Sequence, residues 1–225
     1  MTTTELKEIF FRMGADLCGV ASLDRFADAP DGFHPLDVLP TCRSVISFAC
    51  RFPAATLKCT SPHPYTLVRN VITDKMNRIA LEACVELERQ GIAAVPIPTN
   101  DSVYDAKTGR SRSIVSQKHA AQAAGLGTIG RHTQLITPEF GVMVWLGCVL
   151  TEAALEPDGM KTPLCNDCGL CVKACPVNAL ENQEMDQQKC WDYAFGEQEG
   201  AWSIHCHACR DVCPYLLGTE NGIKV

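Results

Sequence analysis

No stretch of this 225-residue chain is apolar for long enough to span a membrane, so no membrane partner is expected. Positive charge is also in deficit. Lys and Arg number 20 against 26 Asp and Glu, for a net charge of −6. A surface that neutralises phosphates needs the opposite balance, so no nucleic-acid partner is expected either. The N-terminal Met1-Thr2-Thr3-Thr4-Glu5 lacks the basic and apolar parts of an export signal. The expected location is therefore a reducing cytoplasm. No internal repeat appears apart from two cysteine runs. What remains is an ordinary globular composition, 46% hydrophobic and 20% charged. Its length suits one large domain, or a medium domain and a small one.

What the chain has in quantity is cysteine, fourteen in all, with eight in the last third. Cys165, Cys168, Cys171 and Cys175, followed by Pro176, form a C-x2-C-x2-C-x3-C-P run. Cys190 stands alone, and Cys206, Cys209 and Cys213, followed by Pro214, form a second run. This is the bacterial ferredoxin pattern, in which the fourth cysteine of a run serves the other cluster. Two 4Fe-4S clusters need eight thiolates, the number present. The first cluster would take Cys165, Cys168, Cys171 and Cys213. The second would take Cys175, Cys190, Cys206 and Cys209. Zinc knuckles would not exchange their last ligand between runs, and a disulfide framework would need export. His205 and His207 flank Cys206 and read as neighbours of the cluster rather than ligands. The other six cysteines have no ligand spacing, and most of them read as small buried hydrophobes.

The first 155 residues alternate helix and strand. Helical periodicity covers Glu5–Met13 and Leu67–Gln90, the latter closed by Gly91, and Ser113–Ala124 has helix-forming composition. Leu17–Leu23, Ser44–Phe52, Ile92–Ile97, Gln134–Ile136 and Val142–Leu150 read as strands. Residues 1–155 are expected to form an α/β or α+β domain, and residues 156–225 a small cluster domain. Trp145 is expected in the core. Trp191 and Trp202 are expected to shield the second cluster, and Glu197–Gly200 to be a solvated loop.

Gly125-Leu126-Gly127-Thr128-Ile129-Gly130 matches G-x-G-x-x-G, but helix precedes it and strand follows, the reverse of a dinucleotide fingerprint. Its polar surroundings are His119, Thr128, Arg131, His132 and Gln134. The open alternatives are a ligand loop and a plain helix-to-strand turn.

The run Ala124-Gly-Leu-Gly-Thr-Ile-Gly-Arg-His-Thr133 resembles the AGLG motif of epoxyqueuosine reductases, relatives of the corrinoid reductive dehalogenases. Gly14–Ala21, Pro40–Ile46, Leu146–Thr151 and the cysteine pattern match as well. The resemblance covers nearly the whole chain. It implies a nitroreductase-like α/β sandwich followed by a ferredoxin-like double 4Fe-4S domain, an α+β fold. It also implies a cobalamin (corrinoid) cofactor over one cluster. His119, Gly125, Gly127, Thr128, Gly130, Arg131, His132 and Gln134 would be its binding residues.

Two departures bear on function. Where the family carries a catalytic aspartate, this chain has Ser111-Arg112-Ser113, which leaves Tyr104 and Asp105 as candidate proton donors. The sequence stops at Val225, so the helical-repeat extension that tRNA-acting members carry is not expected here. The expectation is an oxidoreductase that passes low-potential electrons to a corrinoid, reducing a small molecule or a corrinoid, with tRNA epoxide reduction disfavoured. The alternatives are a pure electron carrier and an FMN-containing reductase. Expected partners are a low-potential donor such as ferredoxin or flavodoxin, a corrinoid protein, and a second copy in a homodimer.

Overall fold

The computed structural model describes residues 1–100, 102–105, 110–181, 185–198 and 200–219. The helices are α1 (Thr3–Arg12), α2 (Pro35–Val38), α3 (His63–Arg89), α4 (Gln117–Ala123), α5 (Leu170–Lys173), α6 (Gln187–Ala194) and α7 (Ala208–Asp211). The strands are β1 (Leu17–Ser22), β2 (Ser44–Arg51), β3 (Ala94–Ile97), β4 (Val103–Asp105), β5 (Arg110–Arg112), β6 (Thr128–Ile129), β7 (Leu135–Ile136), β8 (Val144–Thr151), β9 (Phe195–Gln198) and β10 (Ala201–Ile204). The chain makes two compact units that interleave in sequence. The first takes Met1–Cys50, Thr73–Gly127 and Trp145–Thr162. The second takes Arg51–Ile72, Thr128–Val144 and the described residues from Pro163 on.

In the first unit a four-stranded sheet runs in the order β1-β2-β8-β3, with β1–β2 and β3–β8 antiparallel. Ser44 to Cys50 of β2 are all buried, as expected of a strand covered on both faces. The apolar cluster joins Ala21, Val45, Ile97, Cys148 and Leu150 of the sheet to Ala120, Ala123 and Ala124. Alanines let α4 sit directly on β1. A Cβ at Gly19 would lie 2.2 Å from the Ala124 carbonyl oxygen. α1 starts with a capping box, in which Glu5 N donates to Thr2 Oγ1 at 3.2 Å and Thr2 N donates to Glu5 Oε2 at 2.7 Å. It buries Leu6, Ile9 and Phe10. Asp158 ties down the irregular chain after β8, meeting Lys7 Nζ at 2.5 Å and accepting from Val20 N at 2.8 Å.

The helix-to-strand order matches expectation, but several boundaries move. α3 begins at His63 rather than Leu67, because Pro64 falls in the first turn, where its missing N–H has no helical partner. Its stripe buries Ile72, Met76, Ile79, Ala83, Cys84 and Leu87, whereas Val71 is 58% exposed. Only Gln117–Ala123 of the expected Ser113–Ala124 helix forms, with Ser116 as an extended N-cap. The hairpin β4–β5 has no counterpart in the sequence reading. Glu197 and Gln198, expected in a loop, end strand β9 of the hairpin β9–β10, and Glu199 lies outside the described residues. No helix among the described residues is long and apolar enough to cross a membrane.

The second unit contains α5 to α7, the hairpins β6–β7 and β9–β10, and the turn at residues 137–141. That turn packs against the chain after Cys213, where Thr219 N donates to Pro138 O at 2.7 Å.

Candidate metal centre

All fourteen cysteines are free thiols. Cys165, Cys168, Cys171 and Cys213 line one pocket, with Arg131, Asn166, Gly169 and Tyr215 also in its wall. The local sequence turns these thiols inward. Asp167 and Gly169 take left-handed backbone conformations at φ 53° and 72°, and α5 starts immediately afterwards. Burial raises the pKa of Cys171, and the nearby thiols of Cys165 and Cys168 add to the rise. Cys213 is raised by burial too, with Cys165, Cys171 and Cys168 as its charged neighbours.

The remaining four thiols form a second group. Burial pushes Cys190 up to about 11, and Cys206 and Cys175 reinforce the shift. Cys209 also rises to about 11, through burial and then Cys190, Cys206 and Cys171, with Arg210 opposing. Cys165, Cys168, Cys171 and Cys213 thus share one pocket, Cys190 has Cys206 and Cys175 as neighbours, and Cys209 has Cys190, Cys206 and Cys171. Among the described residues no three His, Cys, Asp or Glu side chains converge as ligands of a single ion would. Thiols spread around a pocket suit a polynuclear cluster, whose irons sit apart.

The residues after the AGLG run serve these thiols. The loop between β6 and β7 holds Thr133 at φ 64°, with Thr133 N donating to Gly130 O at 2.8 Å. Arg131 N donates to Cys165 Sγ at 3.4 Å. The Arg131 guanidinium donates to the carbonyls of Leu180 and Glu181 at 3.3 and 3.2 Å. Gln134 Nε2 donates to Cys209 Sγ at 3.6 Å, and Ala179 N donates to Cys175 Sγ at 3.2 Å. Thr128 Oγ1 accepts from Leu164 N at 3.2 Å, fixing the chain just before Cys165. His132 is buried, and its Nδ1 accepts from Gln134 N at 3.2 Å. N–H donors to cluster sulfurs are a principal lever on reduction potential.

The other expected site residues have different surroundings. Gly125 and Leu126 close α4 in a Schellman motif, with Gly125 N to Gln122 O at 3.0 Å and Leu126 N to Ala121 O at 3.0 Å. Gly125 is left-handed at φ 73°, and a Cβ there would meet Gly159 O at 2.3 Å. At Gly130 a Cβ would lie 2.7 Å from Ile136 Cδ1. Protein therefore fills the space beside both glycines. Gly127 ends the Thr73–Gly127 segment of the first unit. His119 lies in that unit too, exposed, with Nδ1 2.7 Å from Ser116 Oγ. Desolvation, and then the neighbouring Lys118 charge, lower its pKa. Tyr104 and Asp105 lie on β4 opposite Ser111 and Arg110, and Tyr104 is 66% exposed. The Asp105 side chain falls outside what is described.

Of the six other cysteines, five are buried and Cys59 is exposed. Trp145 is partly buried on β8, and Trp191 and Trp202 are exposed. Sequence reading overlooked Arg210 and Ala179. Arg210 is a buried arginine immediately after a cluster-type cysteine, and that adjacency was its available signal.

Residues 164–216 match the family model of a 4Fe-4S dicluster domain. With the α/β unit, they define the class: an iron–sulfur oxidoreductase. An epoxyqueuosine reductase of Gloeobacter violaceus is 31% identical over 224 residues, covering 93% of this chain and 68% of that protein. The chain belongs to the epoxyqueuosine reductase family. A crystal structure of an epoxyqueuosine reductase with an epoxyqueuosine-modified tRNA stem loop shares the fold, at 22% identity and a TM-score of 0.66, over 95% of this chain and 64% of that one. A reductive dehalogenase structure described in terms of B12-dependent dehalogenation shares it at 20% identity and a TM-score of 0.70, over 93% of this chain and 31% of that one.

These relatives correct two expectations. Corrinoid-dependent reduction of a small molecule gives way to the epoxyqueuosine family, and tRNA epoxide reduction is no longer disfavoured. The absence of a nucleic-acid partner is overturned by a relative seen with a tRNA stem loop. Net charge misled because it is a whole-chain sum, whereas phosphate contact depends on a local face. FMN finds no support in these relatives.

Proposed function

We propose that this chain reduces the epoxide of epoxyqueuosine carried on tRNA, using electrons passed through two 4Fe-4S clusters. The observation that carries this reading is the Gloeobacter match, which runs through the α/β unit as well as the cysteine runs. The thiol groups support the cluster part. Cys165, Cys168, Cys171 and Cys213 would hold one cluster, and Cys175, Cys190, Cys206 and Cys209 the other. When bound, such clusters supply electrons one at a time. Reducing an epoxide takes two electrons and two protons.

The chain's own residues do the rest. Thiolates anchor the clusters, and N–H donors from Arg131, Ala179 and Gln134 stabilise them. A proton donor must come within hydrogen-bond reach of the epoxide oxygen. Tyr104 and Asp105, on one short hairpin, are our candidates. His119 is held by Ser116 and favours its neutral form, which suits contact with substrate better than supply of a proton.

A corrinoid is the finer part of the reading, supported by the dehalogenase neighbour. The residues expected to cradle it do not fit that role within either unit. Gly125 and Gly130 are packed against protein, and Arg131 and Gln134 donate to thiols. We therefore derive no step through it. A nitroreductase-like ancestry for the α/β part belongs to the same finer reading.

The test is turnover. The anaerobically reconstituted chain is given a reduced low-potential donor and an epoxyqueuosine-bearing tRNA stem loop, with and without cobalamin. The nucleosides are then read by mass spectrometry. Loss of the epoxide nucleoside supports the proposal, and dependence on cobalamin supports the corrinoid. An unchanged nucleoside in the presence of intact clusters and cobalamin contradicts the proposal.

A further inference from the structure

We propose that Gln134 and Arg210 together set the reduction potential of the cluster held by Cys175, Cys190, Cys206 and Cys209. The inference rests on the cluster assignment made above. Arg210 follows Cys209 directly and is 9% exposed. Its guanidinium carbon lies 5.8 Å from the centroid of the Phe52 ring. Its Nε donates to Gln134 Oε1, and Gln134 Nε2 lies 3.6 Å from Cys209 Sγ. All four residues belong to the second unit.

Chemistry fixes the direction of this chain of contacts. A guanidinium has donors only, so the amide atom facing Arg210 Nε must be the oxygen. That leaves the NH2 group facing the sulfur. A glutamine without such a partner is free to present either end. Presenting its oxygen would replace a donor with a lone pair set against a thiolate. Arg210 therefore acts through Gln134, as a positioning residue. The Gln134 backbone is held as well, donating to His132 Nδ1 at 3.2 Å and accepting from Gly130 N at 2.9 Å.

One-electron reduction adds a negative charge to a cluster and its four thiolates. Donors aimed at sulfur, and a buried cation behind them, favour the more negative state and so raise the potential. Ala179 N and Arg131 N do this from the backbone. Gln134 does it from a side chain, which substitution can remove.

The test is a dithionite titration of the cluster-loaded protein followed by electron paramagnetic resonance, with iron counted in each variant. Gln134→Leu and Arg210→Met are each expected to lower the potential of one cluster and leave the other unmoved. The expected size is a tenfold change in the reduced-to-oxidised ratio, 59 mV for one electron. The double variant should fall short of the sum of the two single effects, because both share the Arg210–Gln134 bond, while the buried charge adds a part of its own. Arg210→Lys, which keeps a charge and a donor, should retain most of the potential. Should Gln134→Leu lose iron, Gln134→Glu is read instead; it keeps the size, faces the sulfur with an oxygen, and should lower the potential further. Unmoved potentials in iron-replete variants would overturn the proposal. Iron loss in every variant would also overturn it, reducing the pair to scaffolding. About four irons in the unmodified protein would instead overturn the cluster assignment on which it rests, so iron count and potential separate the two failures.

Discussion

At the scale of single residues the cysteines divide by environment. Cys18, Cys42, Cys50, Cys84 and Cys148 are buried in the first unit, and burial raises each of their pKa values, Cys84 to about 12. Cys59 is exposed. Thiolates are the reactive form, so a thiol-alkylating reagent at pH ~7 should label the cluster-loaded protein at Cys59 first. Labelling of Cys84 or Cys148 ahead of Cys59, read by peptide mass spectrometry, would contradict this burial pattern. The same shifts carry a sign for stability. A thiol raised in the folded state ionises first in the unfolded chain. Its stabilising contribution is complete below the ordinary value of 9.0 and is lost as pH rises from there toward about 12 for Cys84. Thermal melts of the loaded protein should therefore fall in Tm as pH is raised past ~9. A Tm that stays flat or rises there would contradict it.

Among the elements, turns do as much to build the site as helices and strands. The turn at residues 137–141 is closed by Thr137 and Gly141, and Gly141 is left-handed at φ 58°. A Cβ there would lie 1.9 Å from Tyr215 O, two residues beyond Cys213. Gly141→Ala should thus cost roughly 1–3 kcal/mol of stability and loosen the loop that carries Cys213. Denaturant melts and an iron count check this; unchanged values in both would contradict it. Much of this level was legible in the sequence. Gly91 ends α3 as its position indicated, because Gly91 N to Glu88 O and Ile92 N to Leu87 O form the expected helix stop. The pocket thiols Cys165, Cys168 and Cys171 were legible because their spacing is local. The hairpins β4–β5 and β9–β10 were not, because three- and four-residue strands carry too little alternation to register. The task of Arg131 and Gln134 was also hidden. Their thiol partners lie 34 and 75 residues away, and only the fold brings them together.

For the whole molecule, the net charge of −6 argued against a nucleic-acid partner, and a relative solved with a tRNA stem loop argues the other way. Binding of an epoxyqueuosine-bearing stem loop should weaken as salt rises, with log affinity falling linearly against log salt concentration, because phosphates release counterions on contact. Fluorescence anisotropy across a salt series checks this, and salt-independent binding would contradict it. In the proposed function the two thiol groups would deliver two electrons to one epoxide. The most direct test is to count those electrons. The cluster-loaded chain is reduced by one electron per cluster, freed of excess reductant, and mixed anaerobically with the modified stem loop in the presence of cobalamin. Both clusters are expected to reoxidise as up to one epoxide per chain is consumed. Clusters that stay reduced beside an unchanged nucleoside would contradict it.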